Sequence, residues 1–172
     1  MNAVDWINSH LAHPVDLNPK TLSIVGDFTL MWAVFEASEG EELNNMLRQI
    51  THFSDRLAGQ FPLDLINKEF DYCVRRYIDN GEKSEHFYNL RFSDDRQIDL
   101  AFSTLTSNSP TLRDKLETCL LIVYRYRNNL FHGMKDISTL NNQVSNFSNA
   151  ISLLQKLLPY GRAYWLGFPK AK

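Results

Sequence analysis

From residue 140 to residue 158 the apolar side chains fall at Leu140, Val144, Phe147, Ile151, Leu154 and Leu158. The steps alternate four and three, the interval at which one face of an α-helix repeats. A half-buried strand would need alternation every second residue instead. Helical spacing recurs along almost the whole chain, glycine and proline are sparse, and there is no repeat or low-complexity segment. The expectation is an all-α bundle folded as one domain over residues 1–172. That length suits a single core, and a 44% hydrophobic content can fill it.

The spacing also orders the elements. After an irregular stretch, 1–20, holding Pro14 and Pro19, a long helix is predicted over 21–38 with Ile24, Phe28, Met31 and Phe35 on one face. Gly40 interrupts it, and a second segment follows at 41–57. A third carries Ile66, Phe70, Cys73 and Tyr77 until Asn80 and Gly81 stop it, with Arg75 and Arg76 at its C-terminal end, where they complement the helix dipole. Short helices are expected at 84–90 and 94–105. A long one starts near Ser109 and Pro110 and ends at Gly133. The link of 133–138 is short, so this helix and the next should form an antiparallel hairpin. Beyond it lies a basic and aromatic tail, 159–172, whose aromatics are expected to pin it onto the bundle, with an RNA-stacking surface as the alternative.

The helix ending at Gly133 holds the feature that points to chemistry. Its apolar stripe runs Leu112, Leu116, Leu120, Val123, and the next place is taken by Arg127, with Leu130 following. An unpaired guanidinium on or beside a buried stripe is very unfavourable. An internal carboxylate, a partner subunit or an anionic ligand must neutralise it, and Glu36 of the first long helix is the internal candidate. His132 falls in the last turn, before the glycine stop. Five residues place Arg127 and His132 about 140° apart around the helix, whereas Asn128 and His132 share a face. Two copies packed with these ends together would line one cleft with both kinds of side chain. A plainer reading is that Arg127, His132 and Lys135 gather here because cations are favoured at a helix C-terminus.

Arg127, Asn128, three residues and His132, late in a bundle helix, resemble the R-x4-6-H motif of HEPN domains (higher eukaryotes and prokaryotes nucleotide-binding). The resemblance spans about residues 21–158, with Arg127, Asn128 and His132 as its specific part; the run from Phe28 to Glu36 is similar to early helices of some members. It implies a HEPN-like helical bundle and metal-independent cleavage of RNA at a dimer interface, leaving a 2′,3′-cyclic phosphate and a 5′-hydroxyl. Histidine suits the proton transfers because its ordinary pKa lies near neutrality. Arginine suits the phosphate because its planar fork stays charged. Arg127, His132 and Asn128 are thus the candidate catalytic residues, Asn128 orienting His132 or binding ribose. The resemblance further implies a toxin or defence effector, with RNA, a second copy and a cognate antitoxin as partners. Met134 stands where such toxins often carry a modifiable tyrosine, which removes tyrosine nucleotidylation at that place.

Several classes find no support. No uninterrupted apolar run, that of residues 119–124 included, is long enough for a membrane span, and the N-terminus has no signal-peptide pattern, so a cytoplasmic protein is expected. Cys73 and Cys119 lack metal spacing and read as reduced core thiols. His10 and His13 are followed by Pro14 with no matching pair, and His52 and His86 have no recognisable context, so neither metal nor cofactor is expected. No phosphate loop or nucleophile elbow is present. The net charge of −2 conceals a polarity: residues 1–70 hold ten acidic against four basic side chains, and residues 113–172 hold nine basic against three acidic. That asymmetry suits an anionic partner, head-to-tail pairing of copies, or merely solvated faces. Two alternatives to an enzyme stand beside it: a non-catalytic HEPN-like module binding RNA or protein, and a helix-turn-helix DNA-binding regulator.

Overall fold

The computed structural model describes residues 3–10, 14–39, 45–131 and 137–161. They form an all-α bundle. A short helix α1 (Ala3–Asn8) occupies the N-terminal stretch expected to be irregular, followed by α2 (Pro19–Glu39), α3 (Met46–Leu57) and α4 (Asn67–Tyr77). Then come a two-residue hairpin, β1 (Ile78–Asp79) and β2 (Glu82–Lys83), and α5 (Glu85–Tyr88), α6 (Asp95–Thr106) and α7 (Leu112–Phe131). A 3-10 turn, Ile137–Gln143, leads into α8 (Val144–Leu157), which ends in another, Leu158–Tyr160.

The helix starts are written in their caps. Asn18 accepts from the Thr21 backbone N–H at 2.7 Å, and Pro19 takes the first helical place of α2. Asn45 and Asp94 cap α3 and α6 in the same way. Pro110 stands just outside α7: Thr111 is the cap, its hydroxyl accepting from the Asp114 N–H while donating to the Asp114 carboxylate at 2.6 Å. Asn80 and Gly81 do not stop α4, which ends earlier, at Tyr77, where Ile78 turns to an extended conformation. Their φ angles of 50° and 82° make the left-handed pair that closes a tight hairpin, setting Ile78 against Lys83 and Asp79 against Glu82.

One continuous core joins the elements. On α2 the buried face is Phe28, Trp32 and Phe35, with Ile24 and Met31 only half-buried at its edges. The face is centred on Trp32, whose ring stacks on Tyr124 of α7 and packs beside Phe35. Cys73 and Cys119 are free, buried thiols, as expected. α4 fixes the directions of its neighbours. It runs with α7, joining it from Asn67 and Lys115 at one end to Tyr77 and Tyr126 at the other. It runs against α8 through Tyr72 to Asn146, Glu69 to Ser152 and Leu65 to Lys156. α7 and α8 are therefore antiparallel, as the short link demanded. The main packing partner of α8 is nevertheless α2 rather than α7, with Phe28 and Phe147 at a ring separation of 4.9 Å. Of the expected stripe, Phe147, Leu154 and Leu158 are buried and Leu140, Val144 and Ile151 only half-buried, because the buried face of α8 also takes in Ala150, Leu153 and Leu157, and the helix that covers it is chosen by the whole bundle. Among the described residues no helix is long and apolar enough to cross a membrane.

Candidate functional site

α7 carries a different task on each side of its last turns. Leu116, Leu120 and Val123 are buried, and Arg127 follows them at the margin of the core with 28% of its side chain exposed. The carboxylate of Glu36, on α2, lies 3.5 Å from its Nη2. This is the internal partner foreseen for the guanidinium. The contact is an ion pair too long for a strong hydrogen bond. Nη1 donates to Asn128 Oδ1 at 3.3 Å, and the guanidinium lies 5.4 Å from the ring centre of Phe131, a residue 53% exposed. Nε is buried with no acceptor among the described residues. Arg127 is thus oriented by three neighbours and left with unspent donor capacity.

Asn128 touches Arg127 directly, so two of the three candidate catalytic residues are together in the fold. His132 lies outside the described residues, as do Gly133, Met134 and Lys135. Residues 162–172 of the basic, aromatic tail are outside them too, although Tyr160 before them packs edge-on against Phe61 as a pinned aromatic would. His13 is likewise outside, and His10 is exposed and stacked on Trp6. Among the described residues no cluster of histidine, cysteine and carboxylate side chains could hold a metal ion.

The opposite side of the same turns serves a second purpose. Asn129 is buried and donates from Nδ2 to the carbonyls of Asn89 and Leu90, at 3.2 and 3.4 Å. Arg125 donates from Nε to the Leu90 carbonyl at 3.0 Å, and burial lowers its pKa. These bonds tie the end of α7 to the turn after α5. Tyr126 shares its hydroxyl bond with Tyr77; burial raises both phenols above the ordinary tyrosine range, so the pair stays neutral.

Between these elements and the 3-10 turn lies a cleft of about 680 Å³. Arg76, Arg91 and His86 bring basic groups to it, and Glu85 brings one carboxylate. Asn89 and Asn142 add carboxamides that make no side-chain hydrogen bond among the described residues. Among the described residues neither arginine forms an ion pair there, and Arg76 Nε is buried without an acceptor. Sequence reasoning missed this group. Arg76 has a sufficient explanation in the helix dipole, and His86 and Arg91 sit in no motif. Only folding brings α4, α5, α7 and the 3-10 turn to one place.

Comparison with protein-family models, with curated proteins and with solved structures finds no match to this chain. The site therefore rests on its own geometry.

Proposed function

We propose that this chain is a metal-independent endoribonuclease of the HEPN type. The observation that carries the reading is Arg127: a guanidinium at the margin of the core, aimed by Glu36 and Asn128, with a buried Nε that has no acceptor among the described residues. A phosphate would pair with the solvent-open part of such a guanidinium, whose Nη groups make only long contacts to Glu36 and Asn128. In this reading His132 takes the proton of the ribose 2′-hydroxyl or gives one to the departing 5′-oxygen. Arg127 stabilises the charge that builds on phosphorus-bound oxygens. The 2′-oxygen forms its bond to phosphorus as the bond to the 5′-oxygen breaks, and a cyclic phosphate and a 5′-hydroxyl result.

A second copy of the chain completes the site in this proposal, and the role is that of a toxin or defence effector held by a cognate antitoxin. Support for self-association lies in exposed Phe131 beside Arg127 and in Leu22 and Leu30, both exposed on α2. In this reading the second copy covers these side chains.

The second reading, a non-catalytic module binding RNA or protein, is favoured by the ion pair itself, since Glu36 already offsets part of the Arg127 charge. A helix-turn-helix regulator has less to stand on. Its recognition helix would have to be α8, whose Phe147, Ala150, Leu153, Leu154 and Leu157 are buried in the core.

The deciding experiment incubates purified wild type, Arg127→Ala and His132→Ala with a mixed tRNA and mRNA pool in EDTA, followed by end-group analysis. Cleavage by the wild type alone, with cyclic phosphate ends, is the expected result. Failure of the wild type to cut any RNA, with a dimer present, would give the site to the binding module.

A further inference from the structure

The cleft between α4, α5, α7 and the 3-10 turn has the chemistry of a ligand site, and the motif does not use it. Its two guanidiniums come from separate elements, the end of α4 and the turn after α5, and neither is offset by an ion pair among the described residues. Charges left this way beside a cavity attract an anion. Arg91 gives a second, independent sign. Its φ is 53°, in the left-handed region that an unbranched but substituted residue enters at a cost and that glycine or asparagine would occupy more readily. A strained arginine at a cleft wall points to work for its side chain.

The remaining wall is suited to a base. The side chains of Asn89 and Asn142 offer both donors and acceptors, and His86 adds a ring beside them. Arginines for phosphate together with carboxamides for base edges are the pairing by which unstacked nucleotides of single-stranded RNA are recognised. The cleft's volume of about 680 Å³ leaves room for such a unit. Its lining includes Asn129 and Asn142, which lie on either side of the motif segment 132–136 in the chain. Tyr126 and Asn129 face the cleft, whereas Arg127 turns to Glu36 of α2.

We propose that this cleft takes one nucleotide of a single-stranded RNA flanking the bond cut at the motif, its phosphate held by Arg76 and Arg91 and its base read by Asn89 and Asn142. The assignment rests on the ribonuclease reading for its substrate, but its site is separate and is tested separately.

The probe is a 5′-labelled hexanucleotide with 2′-O-methyl ribose, which has no 2′-hydroxyl to attack, so fluorescence anisotropy reads binding whether or not the protein cleaves. Two variants are compared with wild type: Arg91→Gly and Asn142→Asp. Arg91→Gly removes the guanidinium while relieving the backbone, so a residue with only a structural role would not lose binding here while keeping its melting temperature. The expected result is hexanucleotide binding weakened by about fivefold or more in Arg91→Gly and Asn142→Asp, with unchanged or raised melting temperature in the former. AMP should compete only weakly. Hexanucleotide binding unchanged in both variants, no binding by wild type, or AMP binding as tightly as the hexanucleotide would each overturn the proposal, the last by assigning the cleft to a free nucleotide. Loss of binding in the variants alongside a wild type that cuts no RNA would sink the nuclease reading and leave the cleft standing. A wild type that cuts RNA, with variants that bind and cut equally well, would sink the cleft alone.

Discussion

Glu36 and Arg127 meet across the interface of α2 and α7 at 3.5 Å, each partly open to solvent. A pair so exposed contributes under about 1 kcal/mol to stability. Glu36→Gln keeps the shape and removes the charge, so its melting temperature should stay within about 2–4 °C of wild type. If Glu36 positions Arg127 for a phosphate, RNA cleavage should still fall about tenfold or more. Arg127→Lys should not substitute for arginine, because an ammonium cannot hold Asn128, Glu36 and a phosphate in one plane. Unaltered cleavage by Glu36→Gln would reduce the pair to a surface contact.

The Tyr77 and Tyr126 hydroxyls satisfy each other inside the protein. Tyr126→Phe strands the Tyr77 hydroxyl, and a buried polar group left alone costs about 1–3 kcal/mol. Removing both hydroxyls leaves nothing stranded. In urea denaturation the double variant should therefore be destabilised by less than the sum of the singles. Additive losses would show that each hydroxyl has another partner.

Glu69 is 1% exposed and is met by Lys156 at 2.8 Å and by Ser152 at 2.6 Å. Burial pushes its carboxyl up, but the hydrogen bonds from Lys156 and Ser152 outweigh this and hold it below the ordinary value of 4.5. A carboxyl whose folded pKa is depressed adds stability that is complete above its unfolded pKa and disappears as pH falls through the folded one. Wild type should thus lose this contribution only below about pH 4.5. Lys156→Met leaves a buried carboxylate unpaired, at a cost of about 3–5 kcal/mol near neutrality. With burial then dominant the Glu69 pKa rises, so the gap between variant and wild type should narrow on acidification. Melting curves from pH 7 to pH 4 check this, and a gap that is constant with pH would refute it.

Asn129 ties α7 to the Asn89 and Leu90 carbonyls. Asn129→Ala should cost about 1–3 kcal/mol, and Asn129→Asp more, since it turns a carboxylate oxygen toward carbonyl oxygens. Faster amide exchange localised to the turn after α5 would accompany either. Exchange unchanged in that turn would mean that Arg125 alone holds it.

Much of this architecture is legible in the chain, for reasons that differ by element. α2, α6 and α7 lie within about two or three residues of where apolar spacing and helix-start residues place them, because caps such as Asn18 and Asp94 act on the adjacent backbone. The partner of Arg127 was legible too, since an arginine in an apolar stripe requires a nearby anion and Glu36 stood on the first helix. What depends on distant packing was not. Trp32 at the centre of the α2 face, the choice of α2 as the main partner of α8, and the meeting of Arg76, His86 and Arg91 all arise from contacts between residues far apart in sequence. Asn80 and Gly81 announce a break in the chain, but whether it ends a helix or turns a hairpin is decided by what Ile78 and Lys83 find opposite them.

Asn141, in the 3-10 turn, accepts from the Asn18 N–H and the Thr21 hydroxyl and donates to the Asp16 carbonyl at 2.6 Å. Asn129 makes the matching attachment on the other side of residues 132–136. The described residues that flank 132–136 are therefore held by two amide side chains, one fixed to the turn after α5 and the other to the entrance of α2. The first turn of α2 thus holds the chain just after residues 132–136, and the turn after α5, more than 60 residues further along the sequence at Leu90, holds it just before them.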